Sequence, residues 1–261
     1  MNSSSPFPEA AADSGSLFDS PAFADRVAGK VALISSMPDP GEACALLKNI
    51  AGELGCESSA FATFLQNDPW HQTYRFLLAC HPGWCALYQR LAWFADDPWL
   101  LYARANSSPA KDIDIPCRTA KQFEIVALAR RFDVQSALVV PAPASGGLTR
   151  IGVLMLGSSK PGYFDSAHFA KLKILARSVS FEFLDWYTAF VREELRRTCR
   201  LTDVDIELLK LERAGLSSKE IFRSTGISAV SVDSRFQRIL ARLKVPNRRA
   251  AAQLAAEYGL I

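Results

Sequence analysis

The stretch LSSKEIFRSTGISAVSVDSRFQRILARL, residues 216–243, is the most densely punctuated part of the chain. Ser217-x-x-Glu220 has the form of a capping box, in which a hydroxyl and a carboxylate each satisfy the other residue's backbone N–H. Gly226 supplies a turn, and Ser228 opens the next helix. Along that helix Val232, Phe236, Ile239 and Leu243 share one face, while Ser231, Ser234, Arg235, Arg238 and Arg242 share another. Outward from this stretch the same grammar continues. Thr202-x-x-Asp205 is a second capping arrangement with a shortened acid, Gly215 ends the helix it starts, and a last helix runs over about 248–258. Residues 201–261 therefore read as a unit of four helices.

A helix that is apolar on one side and carries hydroxyls and arginines on the other suits the second helix of a helix-turn-helix, where arginine neutralises phosphate and pairs with base edges. A solvated basic face is the plainer reading of such a helix. The caps, the glycine turn and the short preceding helix weigh for the helix-turn-helix. Charge agrees: residues 200–261 hold 11 Lys and Arg against 7 Asp and Glu, whereas residues 1–199 hold 19 against 20.

The other 200 residues have a globular composition, and the chain's length allows a second domain. Residues 1–19, rich in Ser, Ala and Pro, read as a disordered tail. Apolar periodicity predicts two helices between Pro21 and Leu54, broken near Pro38–Gly41, with Gly55 as the stop. Ser59–Leu65 and Thr73–Cys80 are expected strands around an Asn67–Pro69 turn. Short helices are expected over Trp84–Trp93, Trp99–Ala105 and Lys121–Phe132. Ser136–Pro143 and Arg150–Gly157 read as a hairpin about Gly146–Gly147, followed by a long helix opened by Asp165 or Ser166 and reaching about Arg197. The expected class is α+β: an α-β-α sandwich with a central antiparallel sheet (GAF- or PAS-like) over 20–190, a junction at 191–200, and an all-α unit over 201–261.

The six cysteines form no CxxC pair and the three histidines are scattered, so no metal site and no cofactor are expected; the apolar settings suggest free thiols in a reducing cytoplasm. The start of the chain lacks a basic run followed by an apolar one, and no apolar stretch approaches the ~20 residues of a bilayer span. His81 between Cys80 and Cys85 is the one hint of a catalytic thiol. A histidine in that setting more often caps a helix, and no catalytic residue is assigned.

The four-helix unit resembles the DNA-binding domain of LuxR-type regulators, through Leu201-Thr202, Leu209, Gly215, Lys219-Glu220-Ile221, Ile227-Ser228, Ser231-Val232, Ile239, Leu243, Asn247-Arg248, Ala255 and Gly259-Leu260. Asp205 stands where that family usually has Glu, and Arg235 where it commonly has His. The resemblance implies contacts from Ser231, Ser234, Arg235, Arg238 and Arg242 to double-stranded DNA at an inverted repeat. It also implies a homodimer in which Ala251, Leu254, Ala255 and Tyr258 help the units pair.

The N-terminal part lacks the order of a phosphorylated receiver domain. It resembles the autoinducer-binding domain of quorum-sensing LuxR proteins, through Trp84, Tyr88, Asp97 and Pro98 in W-x3-Y-x8-DP spacing. The implied ligand is an N-acyl-homoserine lactone: Trp84 donates to the lactone carbonyl, Asp97 accepts from the amide N–H, and Tyr88 lines the acyl side. Asp97-Pro98 is also an ordinary helix start, and both aromatics are ordinary core residues. The sequence departs from the family at Cys80, where many members have Tyr, at Asp112, near which a second Trp is missing, at Ala137 in place of Gly, and at Val139 and Met155 in place of Thr or Ser. Cys80, Val139 and Met155 complete the expected lining with Trp84, Tyr88 and Asp97, in a greasier cavity. The expected protein is a cytoplasmic regulator controlled by a lactone. The alternative is an orphan regulator that answers a different small molecule or none.

Overall fold

The computed structural model describes residues 18–65, 73–143 and 150–261. Its centre is a five-stranded antiparallel sheet in the order β2-β1-β5-β4-β3, from β1 (Ser58–Leu65), β2 (Arg75–Ala79), β3 (Ala110–Lys111), β4 (Ser136–Ala142) and β5 (Arg150–Ser158). Two of the expected turns, Asn67–Pro69 and Gly146–Gly147, and most of the expected tail lie outside the described residues. β4 is buried along its whole length, which explains why SALVVPA reads as a continuous apolar run and not as an alternating one. Pro141 is tolerated there because β3 pairs only with Leu138 and Val139 and never reaches it.

Side chains alternate across the sheet, so each strand feeds two layers. Phe61, Leu77, Leu138, Val140, Leu154 and Leu156 face α1 (Pro21–Val31), α2 (Pro40–Glu53) and the long α6 (Phe169–Thr198), packing on Phe23, Leu47, Ile50 and Phe183. Ala62, Phe64, Ala137, Val139 and Val153 face the other way, toward α4 (Pro98–Ala105) and α5 (Ala120–Arg131). This is the α+β sandwich expected from the sequence.

Several boundaries differ. α3 (Pro82–Arg90) stops short of Trp93 because Ala92 turns left-handed (φ 48°), and Trp93–Ala95 form a separate 3-10 turn. α6 begins at Phe169 without a side-chain cap, since the Asp165 carboxylate is taken by Lys111, 2.6 Å away. The stretch 191–198, expected as part of a junction, is the end of α6. That helix closes with Arg200 left-handed (φ 49°) and with N–H bonds from Arg200 to the Arg197 carbonyl and from Leu201 to the Arg196 carbonyl. This is a glycine-type stop made without glycine.

The C-terminal helices are α7 (Asp203–Arg213), α8 (Ser218–Thr225), α9 (Ala229–Leu243) and α10 (Arg248–Glu257). Both capping boxes form, Ser228 and Asn247 cap α9 and α10, and Gly226 takes the left-handed conformation (φ 73°) between α8 and α9. Leu208, Leu209, Ile221, Val232, Phe236, Ile239, Ala251 and Ala255 make their core, which Leu195 and Cys199 at the end of α6 join.

Candidate ligand cavity and basic helix

α3 owes its start to local chemistry. Pro82 occupies the first turn, and His81 Nδ1 accepts from the Gly83 N–H at 3.1 Å. The one histidine that hinted at thiol catalysis is therefore a helix cap. From this helix Trp84 and Tyr88 reach into an aromatic group, with Trp84 5.6 Å from Tyr88, 5.8 Å from Trp93 and 6.1 Å from Phe132, ring centre to ring centre.

Asp97 caps α4, its Oδ1 accepting from the Trp99 N–H at 2.8 Å. Its Oδ2 accepts from the Tyr88 hydroxyl at 2.6 Å. The carboxyl group is 2% exposed, so the ordinary cap and the cavity-wall roles coincide in one side chain. Burial raises its pKa, opposed by the Tyr88 hydroxyl and by the N–H groups of Trp99 and Leu100. Burial, and then the charge of Asp97, hold the Tyr88 phenol well above its ordinary value.

These residues border a narrow cavity of about 50 Å³ that opens to the surface. Its walls come from β1 (Ala60), β2 (Phe76, Leu78), β4 (Ala137), β5 (Met155), α3, α4 (Trp99) and the Phe132–Val134 turn. Of the six expected lining residues, Trp84, Tyr88, Asp97, Cys80 and Met155 meet there. Val139 does not: it pairs with Met155 across the strands but is fully buried among the side chains of the same layer, with Ala137 and Trp99. Asp112, near which a second tryptophan was missed, binds the Ala137 N–H at 2.9 Å and ties β4 in place. Trp99, Phe76 and Phe132 line the cavity without having been singled out; Trp99 directly follows the Asp97-Pro98 pair. Cys80 lies with its Sγ 2.7 Å from that of Cys85.

On α9 the five expected residues do not behave alike. Ser231, Ser234 and Arg238 are exposed, and the Ser231 hydroxyl also meets that of Ser228. Arg235 and Arg242 turn toward the buried Asp205, at 3.4 Å and 3.7 Å, and Arg242 also donates to the Arg200 carbonyl. Asp233 is held by Ser218 and Arg248, away from these arginines. On α10, Ala251 and Ala255 are spent in the core of the module, and Tyr258 lies under the Arg150 guanidinium, 5.4 Å away. These three make contacts within the chain.

Residues 39–180 match the family model described as the autoinducer binding domain. Escherichia coli SdiA superposes with a TM-score of 0.70 at 16% identity, over 92% of this chain and 99% of SdiA. SdiA in complex with octanoyl-rac-glycerol gives 0.67 at 16%, over 91% and 96% of the two chains. CepR2 from Burkholderia cenocepacia, an N-acylhomoserine lactone-dependent LuxR family transcription factor, gives 0.50 at 16%, over 61% and 92%. At such identity the likeness is one of fold. No curated protein matches the chain.

Proposed function

The chain belongs to the autoinducer-binding domain family, and we propose that it is a LuxR-type transcriptional regulator whose DNA binding is governed by an N-acyl-homoserine lactone in the cavity. As a member of a receptor family it is not an enzyme. The observation that carries the ligand reading is the buried Asp97 carboxylate on a mostly apolar wall, where Ser58, Ser59 and His81 are further polar groups. It accepts from Tyr88 and Trp99, and a carboxylate with about four acceptor positions has capacity for a further N–H. The half-buried Trp84 indole supplies a donor on the same wall. One donor and several acceptors are what a neutral acyl-amide lactone offers in return.

The DNA reading rests on the exposed Ser231, Ser234 and Arg238, with Arg235 and Arg242 reaching phosphate only as far as their tie to Asp205 allows. The units 20–190 and 201–261 then act as sensor and reader across the 191–200 segment. A homodimer is supported by Ile174 and Phe181 of α6, 64% and 37% exposed and about two helical turns apart on one face. Two copies of α9 present themselves to the half-sites of an inverted repeat. None of the described helices is long and apolar enough to cross a membrane, which accords with action in the cytoplasm.

One observation favours a second reading, in which another small molecule, or none, sets the active state. Asp97 accepts from Tyr88 and Trp99 within the chain, and the ligand of the SdiA complex, octanoyl-rac-glycerol, carries no amide N–H. Thermal unfolding with lactones of graded chain length separates the two. A rise of several degrees for one chain length, absent in Asp97→Ala, supports the lactone. A rise with a monoacylglycerol and none with any lactone supports the second reading, and no rise with either sinks the lactone reading.

A further inference from the structure

Cys80 follows β2 and Cys85 sits in the first turns of α3, yet their sulfurs are 2.7 Å apart. That is within an ångström of the ~2.05 Å of a disulfide bond. Both side chains are only part-buried, and Cys80 borders the cavity. The two thiols are also polarised against each other. The hydrogen bond between the two sulfurs, helped by the N–H groups of Cys80 and Cys85, lowers the Cys85 thiol despite burial. The same hydrogen bond and burial raise Cys80. Burial raises Cys44, Cys56, Cys117 and Cys199, so Cys85 is the one thiol of the six shifted toward the reactive form.

We propose that Cys80 and Cys85 are a peroxide-responsive modification site, a dithiol that closes to a disulfide on the cavity wall. The Cys85 thiolate attacks one oxygen of hydrogen peroxide and breaks the O–O bond. The departing hydroxide takes a proton as water, and Cys85 is left as a sulfenic acid. The Cys80 sulfur then attacks the Cys85 sulfur. The S–S bond forms, the S–O bond breaks, and the leaving hydroxide departs as water with the Cys80 proton. In sum two thiols lose two hydrogens and two electrons, and one peroxide becomes two waters.

The bond ties the end of β2 to the helix turn that carries Trp84, the neighbour of Cys85 in sequence. Oxidation therefore fixes the wall on which Trp84 stands and changes ligand response. This consequence rests on the ligand reading above; formation of the disulfide does not.

The test uses the full chain, reduced, desalted and exposed to hydrogen peroxide, then alkylated in denaturant and digested with trypsin. Residues 76–90 form one peptide that holds both cysteines. It should lose two hydrogens in mass, remain unalkylated, and return to the dithiol with reductant. Its oxidation should outrun that of Cys44, Cys56, Cys117 and Cys199 at least several-fold near neutral pH. Cys44→Ser should leave this result unchanged, and Cys85→Ser should abolish it. A disulfide to Cys44, a bond between chains, or a Cys85 sulfinic acid beside a free Cys80 overturns the proposal, as does an inert pair. Lactone-induced stabilisation compared between reduced and oxidised protein reads the consequence separately. If the disulfide forms and no ligand acts on either state, the ligand reading fails and the dithiol site stands.

Discussion

Asp97 and Asp205 are the two buried carboxylates among the described residues, 2% and 4% exposed, and both serve at helix starts. Their surroundings differ in kind. Asp97 is held by neutral donors, a phenol and an N–H, at the edge of a cavity. Asp205 completes a capping box with Thr202 and is faced by two guanidiniums, from Arg235 and Arg242, which join α7 to α9. One residue type thus does opposite work. Where charge meets charge, the carboxylate fastens two helices. Where only neutral groups meet it, it keeps a raised pKa and capacity to accept from a guest.

The hardest blow to this contrast falls on Asp205. Asp205→Ala removes the capping bond and leaves both guanidiniums without their carboxylate. The expected cost is about 2 kcal/mol, held below that of a fully buried pair because both arginines are about a third exposed. Denaturant unfolding reads it, and a loss under about 0.5 kcal/mol would show that the arginines merely lie nearby. Tyr88→Phe comes next. It strips the one side-chain donor from a buried carboxylate that otherwise keeps only backbone N–H groups, at an expected cost of about 1–2 kcal/mol in the same assay; an unchanged midpoint means water replaces the phenol.

The pH dependence of Asp97→Asn is smaller and sharper. The Asp97 pKa lies above its ordinary 3.8 in the folded protein, so between those two values the folded state holds more protons than the unfolded one. Stability must fall as pH rises through that window. The asparagine variant lacks this loss, so its stability relative to the wild type should climb with pH from below 3.8 upward. A difference that stays flat would place Asp97 in a wetter setting than the structure gives it.

The smallest effect on stability is expected at Arg238. Arg238→Ala should change unfolding by no more than about 0.5 kcal/mol. It should weaken binding to any DNA sequence alike and lower the salt slope by about one. Arg235→Ala should instead show its loss in stability, through Asp205. If the two variants exchange behaviours, the division of labour on α9 is wrong.

The same contrast explains what was legible in the sequence. Thr202, Ser217 and Ser228 announce their helices because each cap bonds a backbone group three residues ahead, and sequence spacing alone sets that geometry. The α+β layering was legible for a similar reason, since periodicity sorts residues to faces. Partners chosen in three dimensions were not. Arg235 reads as an exposed cation until α7 brings Asp205, thirty residues earlier, against it. Asp165 reads as a helix cap until Lys111 claims it. Ala92 ends α3 in a left-handed turn that no glycine advertises. Tyr88 reads as an acyl-side aromatic, and its bond to Asp97 needs the 3-10 turn between α3 and α4 to fold the two together. Cys80 and Cys85 were visible as neighbours of His81, but only the turn from strand to helix brings sulfur to sulfur.

The thirty-residue α6 is the element that crosses from the sheet to the C-terminal helices. A rod of that many residues is roughly 45 Å long. Most of it lies packed on the sheet core, from Leu172 through Phe183 to Val191, and its last turn, with the capping Cys199, joins the other core through Leu195. Such a rod is a lever with its fulcrum under the sheet. A tilt of about five degrees there sweeps the far end, about 25 Å from the middle of the packed stretch, by roughly 2 Å. That is more than half the rise of one base pair along DNA.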